Sequence, residues 1–276
     1  MRTKTIFQLL KLSGYRSNIV FSNLRNAFPH LTKTQIANFQ KYFYKYFARL
    51  LSEIYLMLYA NLSKADILSM SHLYNVDEIL FFLKRGRSVF LMVPHYGNWE
   101  LAGWSLAIQQ PYRVIAVYKP LSNKRFDKKI YATRGKWGTI PVPMENIVKY
   151  VIKHKDDPAI FVFIADQNPT HLEACYWTEF MGRPVPVFWG PEKLARKFNI
   201  PVFWAHAQPV SNSYQEVFFS PIANDPARTP QGFITASFMK RLENLLRSMP
   251  PYWLWSHRRW KHSNKFDPKI HKFVKE

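Results

Sequence analysis

The sequence is poor in cysteine and contains no long apolar run. Cys175 is the single cysteine among 276 residues. One thiol excludes an internal disulfide framework and a cysteine-rich zinc site, and it fits a reducing compartment. No apolar run approaches the roughly 20 residues that a membrane-spanning helix requires. Residues 1–12 are basic and mildly amphipathic but lack a signal peptide's apolar core. The sequence therefore predicts a cytoplasmic protein, or one held peripherally on a membrane.

Acidic residues are also scarce. The chain has 18 Asp and Glu against 39 Lys and Arg, which gives a formal net charge of +21. The positive electrostatic field of such a chain attracts polyanions, namely nucleic acid, an anionic membrane face or an acidic carrier protein. No DNA- or RNA-binding motif occurs and the basic residues are spread over the chain, so nucleic acid is the least favoured partner. With 47% hydrophobic residues, the chain is not disordered.

The spacing of apolar residues predicts a helical first third followed by alternating strands and helices. The predicted helices are 32–58, 76–84, 99–109, 123–134, 145–153, 192–198 and 231–247, and the predicted strands are 88–93, 113–117, 139–142, 159–165, 201–206 and 216–219. This order is typical of an α/β fold with a mixed, largely parallel central sheet flanked by helices. We expect one domain, with a helical part at 1–85, a catalytic α/β core at 86–250 and a basic aromatic tail at 251–276.

One segment, residues 95–100 (HYGNWE), combines residues suited to catalysis at the end of a predicted strand. Asn98 is a good N-cap, which places Glu100 in the first helical turn, and Gly97 lets the preceding turn fold sharply. Across such a turn His95 and Glu100 can meet. A carboxylate near an imidazole makes it a better general base, and N–H groups at a helix start can stabilise an oxyanion. The segment thus suits acyl transfer from a thioester to a hydroxyl, without a Ser or Cys nucleophile, a metal or a cofactor.

An isolated His-x4-Glu pair is more often structural, but this pair occurs together with other recognisable segments of the chain. Residues 95–100 match the motif His-Phe/Tyr-Gly-Asn-Trp-Glu of the bacterial lipid A biosynthesis (late, secondary) acyltransferases, part of the wider lysophospholipid acyltransferase group. Four further segments resemble that family in the same order: GYR at 14–16 with NLRNAFP at 23–29, VYKPLSN at 117–123, FIADQ at 163–167 and YWLWSHRRW at 252–260. The resemblance covers nearly the whole chain and implies a glycerolipid acyltransferase-like fold.

The resemblance also implies roles for individual residues. His95 would be the general base and Glu100 its partner. Arg134 and Asp166 would line the active site, where a guanidinium suits an acceptor phosphate or the oxyanion. Lys119 and Asn98 are further substrate-binding candidates. From the residues alone, Arg134 is more simply a surface cation of its predicted helix, and Asp166 as often caps a helix as lines a site.

Members of the resembled family carry an apolar N-terminal anchor in the inner membrane, and we do not expect one in this chain. We expect peripheral association with the cytoplasmic face of the bacterial inner membrane. Basic residues mixed with aromatic ones, at 113–136 and around Trp253, Trp255 and Trp260, suit an anionic headgroup interface. A solvated basic end explains the second cluster equally well. The expected partners are an acyl carrier protein as donor, a lipid acceptor and the anionic membrane surface, without nucleic acid.

Two other functions are compatible with the sequence. One is acyl transfer to a lysophospholipid or an aminolipid, because the acceptor pocket is not evident from a linear sequence. The other is a catalytically silent, membrane-associated homologue, which the intact His95 and Glu100 argue against.

Overall fold

The computed structural model describes residues 3–120, 123–173, 175–211 and 213–276. Leu121 and Ser122, in one of the family-like segments, and Met1 and Arg2 of the basic N-terminal segment lie outside the described residues. The helices are α1 (Thr3–Ser13), α2 (Ser17–Ala27), α3 (Lys33–Tyr59), α4 (Lys64–Ser69), α5 (Val76–Leu83), α6 (Trp99–Gln109), α7 (Lys124–Gly135), α8 (Ile147–Lys153), α9 (Gly190–Phe198) and α10 (Phe233–Ser248). The strands are β1 (Ser71–Tyr74), β2 (Val89–Val93), β3 (Arg113–Tyr118), β4 (Thr139–Pro143), β5 (Ala159–Ile164), β6 (Tyr176–Phe180), β7 (Arg183–Val187), β8 (Val202–Ser211) and β9 (Tyr214–Ala223).

The chain divides into two compact units, and the larger one contains the central sheet. This unit comprises Ile54–Ala165 and Gly190–Thr229. Its seven strands lie in the order β1-β9-β8-β2-β5-β3-β4. Neighbouring strands are parallel except for the antiparallel pair β8–β9. The predicted fold class, a mixed and largely parallel sheet flanked by helices, is confirmed.

Strand β2 occupies the middle of this sheet and carries the segment that leads to His95. All five of its residues are buried, as expected for a parallel strand covered on both faces. Leu91 pairs with Val162 of β5 on one side and with Phe203 of β8 on the other. Helices α5 and α6 supply apolar side chains to the same core, among them Ile79 and Leu106. The strand end that precedes His95 is therefore rigidly supported.

The second unit comprises Met1–Glu53, Asp166–Trp189 and Pro230–Glu276. It contains α1, α2, most of α3, the antiparallel hairpin β6–β7 and α10. The C-terminal segment lies against the hairpin, because Trp177 N–H donates to Lys272 O (2.9 Å) and Val274 N–H donates to Trp177 O (2.7 Å). Gly232 permits this packing, since a Cβ there would lie 2.3 Å from Val274 Cγ1.

The interfacial role predicted for the C-terminal tryptophans is wrong. Trp253, Trp255 and Trp260 are only 1%, 0% and 8% exposed, and they pack against one another and against Phe180. Arg259, between them in the sequence, is 0% exposed. These side chains form part of the second unit's core and are not available to lipid headgroups.

Candidate active site

A tight turn joins β2 to α6 and presents His95. Gly97 adopts φ +64°, a left-handed conformation that favours glycine. A Cβ at this position would lie 2.0 Å from Ala207 O of β8, so there is also no space for a side chain here. The requirement for glycine is therefore double. The predicted sharp turn ahead of the helix is confirmed.

Hydrogen bonds of Asn98 fix the turn to α6 and to β9 of the sheet. Its Oδ1 accepts a hydrogen bond from Leu101 N–H (3.1 Å), which is the N-cap interaction predicted from the sequence. Its backbone N–H donates to Gln215 Oε1 (3.0 Å), and Gln215 Nε2 donates to Asn98 O (2.9 Å). Both side chains are buried, with residues 98 and 215 each 2% exposed. This geometry makes Asn98 a positioning residue, and the substrate contact assigned to it stays a prediction.

His95 is the partly exposed residue of the turn. Its neighbours Pro94 and Tyr96 are buried, whereas His95 is half-buried at the carboxyl end of β2. The imidazole packs edge-on against Trp99, with ring centres 4.8 Å apart and an interplanar angle of 79°. An aromatic neighbour of this kind restricts the orientation of the imidazole and does not itself form a hydrogen bond with a ring nitrogen. The carboxyl end of a parallel strand is also where α/β folds bind ligands.

Glu100 and Arg134 form a bidentate ion pair in the same unit. Arg134 Nε donates to Glu100 Oε2 at 3.0 Å, and Arg134 Nη2 donates to Glu100 Oε1. Glu100 lies in the first turn of α6 and Arg134 in the last turn of α7. Each charge is therefore stabilised by its own helix dipole as well as by the other. The surface-cation interpretation of Arg134 is wrong, because its side chain is only 17% exposed.

The electrostatics of Arg134 follow from this burial and pairing. Desolvation lowers the pKa of its guanidinium, but the charge and hydrogen bonds of Glu100 outweigh desolvation and raise the pKa above the usual value. Tyr118, at the end of β3, adds a ring whose centre lies 5.6 Å from Arg134 Cζ. Arg134 thus stays a cation. The pairing uses Nε and Nη2, and Nη1 donates no hydrogen bond to a described residue.

An apolar pocket adjoins the ion pair. Its lining consists of Ile54, Met57, Leu58, Glu100, Trp104, Ile130, Thr133 and Arg134. These residues come from the end of α3, from α6 and from α7. Apart from Thr133 and the ion pair, the lining is apolar or aromatic. Its internal volume is only about 20 Å³, room for roughly one water molecule, so it does not hold an acyl chain in this structure.

Two further predicted site residues are Lys119 and Asp166. Lys119 directly follows β3 and is exposed. Asp166 belongs to the second unit, where it is 1% exposed and accepts a hydrogen bond from Trp253 Nε1 at 2.7 Å. Within that unit, Asn168 Oδ1 also accepts a hydrogen bond from Arg259 Nη1 (2.6 Å). The FIADQ segment at 163–167 and the YWLWSHRRW segment at 252–260 are thus joined by the buried pair of Asp166 and Trp253.

Two residues important for the site were not predicted. Gln215 was not anticipated as the partner of Asn98, although its alternation with the buried Val217 and Phe219 on β9 places it on the inner face. Tyr118 lies in the family-like segment at 117–123, but the sequence does not indicate that it adjoins Arg134. Its proximity to Arg134 depends on β3 and α7 packing together, which no local pattern indicates.

The described residues contain neither a cluster of metal ligands nor a membrane-spanning helix. In this part of the chain, no group of three or more His, Cys, Asp or Glu side chains could hold a metal ion. None of the helices in the same residues is both long enough and apolar enough to cross a membrane.

The fold and site define a class, an α/β protein with a histidine at the carboxyl end of a central parallel strand and a partly buried acid–arginine pair whose acid lies in the first turn of the helix that follows. The sequence profile of the family described as bacterial lipid A biosynthesis acyltransferase matches residues 3–262 of the 276. The chain therefore belongs to the bacterial lipid A biosynthesis acyltransferase family, whose members are acyltransferases. A search of curated proteins finds no match.

Proposed function

We propose that this acyltransferase moves a fatty acyl chain from an acyl carrier protein thioester to a hydroxyl of a lipid A precursor, with His95 as the general base. The observation that carries the proposal is the placement of a half-buried imidazole at the carboxyl end of β2, one turn ahead of a carboxylate fixed by Arg134. The chemistry needs no nucleophilic side chain, because the acceptor hydroxyl attacks directly.

The reaction begins when a nitrogen of His95 takes the proton of the acceptor hydroxyl. The oxygen attacks the thioester carbonyl, and a C–O bond forms to give a tetrahedral oxyanion. Collapse of this intermediate breaks the C–S bond, and the departing thiolate takes the proton from the imidazolium. The products are an ester of the lipid and a free carrier thiol, so His95 returns to its starting state.

Glu100 and Arg134 support this cycle in different ways. We infer that the Glu100 carboxylate favours the imidazolium that forms during attack, and its pairing with Arg134 keeps that carboxylate in one orientation. Arg134 Nη1 remains to donate to the oxyanion or to a phosphate of the acceptor. Lys119 and Asp166 stay predicted substrate contacts.

The charge of the chain supports the proposed donor and location. A net charge of +21 would speed encounter with an acidic acyl carrier protein and would hold the enzyme at an anionic membrane face. We propose the cytoplasmic face of the bacterial inner membrane, where both a carrier-linked donor and a lipid acceptor are accessible.

The test is mass spectrometry of lipid A and phospholipids from cells that lack the gene and carry wild type, His95→Ala or Glu100→Ala. We expect wild type to restore the missing acyl chain of lipid A and both variants to fail. The matched control is His72→Ala, which removes an exposed histidine of β1 and should restore acylation fully. Full restoration by His95→Ala would contradict the mechanism. If lipid A is unchanged and the phospholipids are altered, the acceptor is a lysophospholipid or an aminolipid instead.

A further inference from the structure

Exposed tyrosines and lysines gather where the end of α3 meets α7. We name this region the tyrosine–lysine surface, and it consists of Tyr55, Leu56, Tyr59, Lys124, Lys128, Lys129 and Tyr131. Its four large apolar or aromatic side chains are 41%, 42%, 57% and 46% exposed in chain order. Exposed aromatic groups of this size, clustered rather than scattered, indicate an interaction surface.

Side-chain contacts join the two helices at Tyr55, Tyr59 and Lys129. Tyr55 and Tyr59 stack with ring centres 4.7 Å apart. Lys129 Nζ lies 3.4 Å from the centre of the Tyr59 ring, so a cation from α7 covers an aromatic ring from α3. On α7, Lys124, Lys128 and Tyr131 follow helical spacing and are all exposed.

The patch has a strongly positive charge. Helix α7 contains Lys124, Arg125, Lys128, Lys129 and Arg134 against a single acid, Asp127. Arg134 is neutralised by Glu100, but the other four cations are not paired with an acid by any described ion pair. Amphipathic tyrosines beside lysines with long apolar stems are the composition of a membrane–water interface, where rings lie at headgroup depth and ammonium groups meet phosphates.

The position of the patch connects it to the site. The apolar pocket beside Glu100 and Arg134 is lined by Ile54, Leu58 and Ile130, which alternate along α3 and α7 with the exposed residues of the patch. The same two helices therefore carry both the exposed surface and the lining of the pocket.

We propose that the tyrosine–lysine surface docks the enzyme onto the anionic headgroups of a phospholipid bilayer. This inference deepens the proposed function and rests on it for the identity of the lipid. It also assigns the interfacial role to tyrosines of α3 and α7 in place of the buried tryptophans of the C-terminal segment. An acidic protein would be attracted by the lysines alone, whereas the exposed Tyr55, Leu56 and Tyr59 gain most from the apolar boundary of a bilayer.

The test measures co-sedimentation of the full chain with phosphatidylcholine vesicles, with and without phosphatidylglycerol. Lys124→Gln/Lys128→Gln should weaken partition to the anionic vesicles roughly 30-fold, since each cation near the surface contributes about a fivefold gain. The matched control, Lys153→Gln/Lys155→Gln at the end of α8, removes the same charge from exposed positions elsewhere and should bind nearly as wild type does.

The aromatic contribution has its own matched pair. Tyr59→Ser should weaken binding to both kinds of vesicle, while Phe81→Ser should not. Phe81 on α5 is an appropriate control because it is 49% exposed and, like Tyr59, has a cation over its ring, with Arg85 Cζ 3.6 Å from the centre. Circular dichroism of each variant checks that the fold is retained.

Equal partition of the α7 and α8 lysine variants would overturn the proposal. So would loss of binding to an acyl carrier protein with vesicle binding unchanged, because the patch would then be a protein-docking surface. The measurement involves no acyl transfer, so it stands or fails separately from the lipid A experiment. Vesicle binding without lipid A acylation would refute the proposed function and leave the docking surface intact.

Discussion

At the scale of single residues, the pairing of Glu100 with Arg134 is the least predictable feature of the site. The two residues are 34 positions apart in the sequence, and their meeting depends on how α6 and α7 pack. With side chains 21% and 17% exposed, the pair is partly desolvated and its geometry is bidentate. Loss of one partner would leave the other charge partly buried without compensation.

Arg134→Lys should lower acyl transfer substantially, because an ammonium group is a point charge and does not reproduce the two-nitrogen contact with Glu100. Arg134→Gln should be worse, since it removes the charge as well. The measurement is the steady-state rate with a carrier-linked acyl donor, and Arg125→Gln serves as the control because Arg125 is an exposed cation of the same helix. A wild-type rate for Arg134→Gln would show that Glu100 needs no partner.

Gly97→Ala should destabilise the protein by several kcal/mol, because the new Cβ meets Ala207 O and the left-handed φ is costly for alanine. Gly138→Ala separates the two effects. Gly138 also has a positive φ, +90°, but a Cβ there meets nothing within 4 Å, so its cost should be only about 1 kcal/mol. Thermal unfolding measures both variants, and equal losses would mean that the contact with Ala207 is unimportant.

At the scale of elements, apolar periodicity predicted the strands and helices around the site well. Helix α6 has the predicted bounds, 99–109, and β2, β3 and β5 differ from their predictions by one residue at an end. Helix α6 is long, and β2, β3 and β5 are inner strands of the sheet, so their local pattern reflects their packing. Three strands were missed. β1 has only four residues and lies in a part predicted to be helical, and β7 contains Pro184 and Pro186, which suit a short two-stranded hairpin.

The C-terminal segment shows why the burial of some side chains could not be predicted from the sequence. Its alternation of Trp with Arg and Lys matches an interfacial sequence, yet residues 253, 255, 259 and 260 are buried. Arg259 is only partly satisfied, because Nη1 donates to Asn168 Oδ1 and to Pro186 O, partners 91 and 73 residues away, whereas Nε and Nη2 are buried without a hydrogen-bond partner among the described residues. Such long-range contacts of a buried cation have no local signal in the sequence.

At this scale, Gly232→Ala should detach the C-terminal segment from its place beside the hairpin, since the added Cβ overlaps Val274. Gly182→Ala, in the β6–β7 turn, has a similar positive φ but open space and should leave the segment in place. Amide hydrogen exchange reports the outcome directly, through protection of the N–H of Val274 that donates to Trp177 O. Unchanged protection in Gly232→Ala would contradict the predicted contact.

At the scale of the whole molecule, His206 makes folding stability depend on pH. Burial lowers the pKa of His206 to about 4, and its Nδ1 accepts a hydrogen bond from Trp204 Nε1 (3.0 Å), which only the unprotonated nitrogen can do. The unfolded chain binds a proton near pH 6.5, whereas the folded chain resists it until about pH 4. The free energy of unfolding is therefore unaffected by His206 above pH 6.5, and it decreases by up to about 3 kcal/mol as the pH falls toward 4.

The check is the free energy of unfolding in urea at several pH values for wild type and His206→Gln. The variant should show a shallower dependence between pH 6.5 and 4, because its side chain cannot titrate. His72→Gln, at an exposed site, should retain the wild-type slope. Parallel curves for all three proteins would exclude His206 as the group responsible.

The central claim, that His95 is the base of an acyl transfer, is tested most directly by single-turnover transfer with purified protein. The donor is a fatty acyl chain on acyl carrier protein, and the acceptor is a lipid A precursor in detergent micelles. We predict that His95→Ala lowers the rate constant by about 100- to 10,000-fold, the usual contribution of a general base, while His72→Ala keeps the wild-type rate. A wild-type rate constant for His95→Ala would contradict the account.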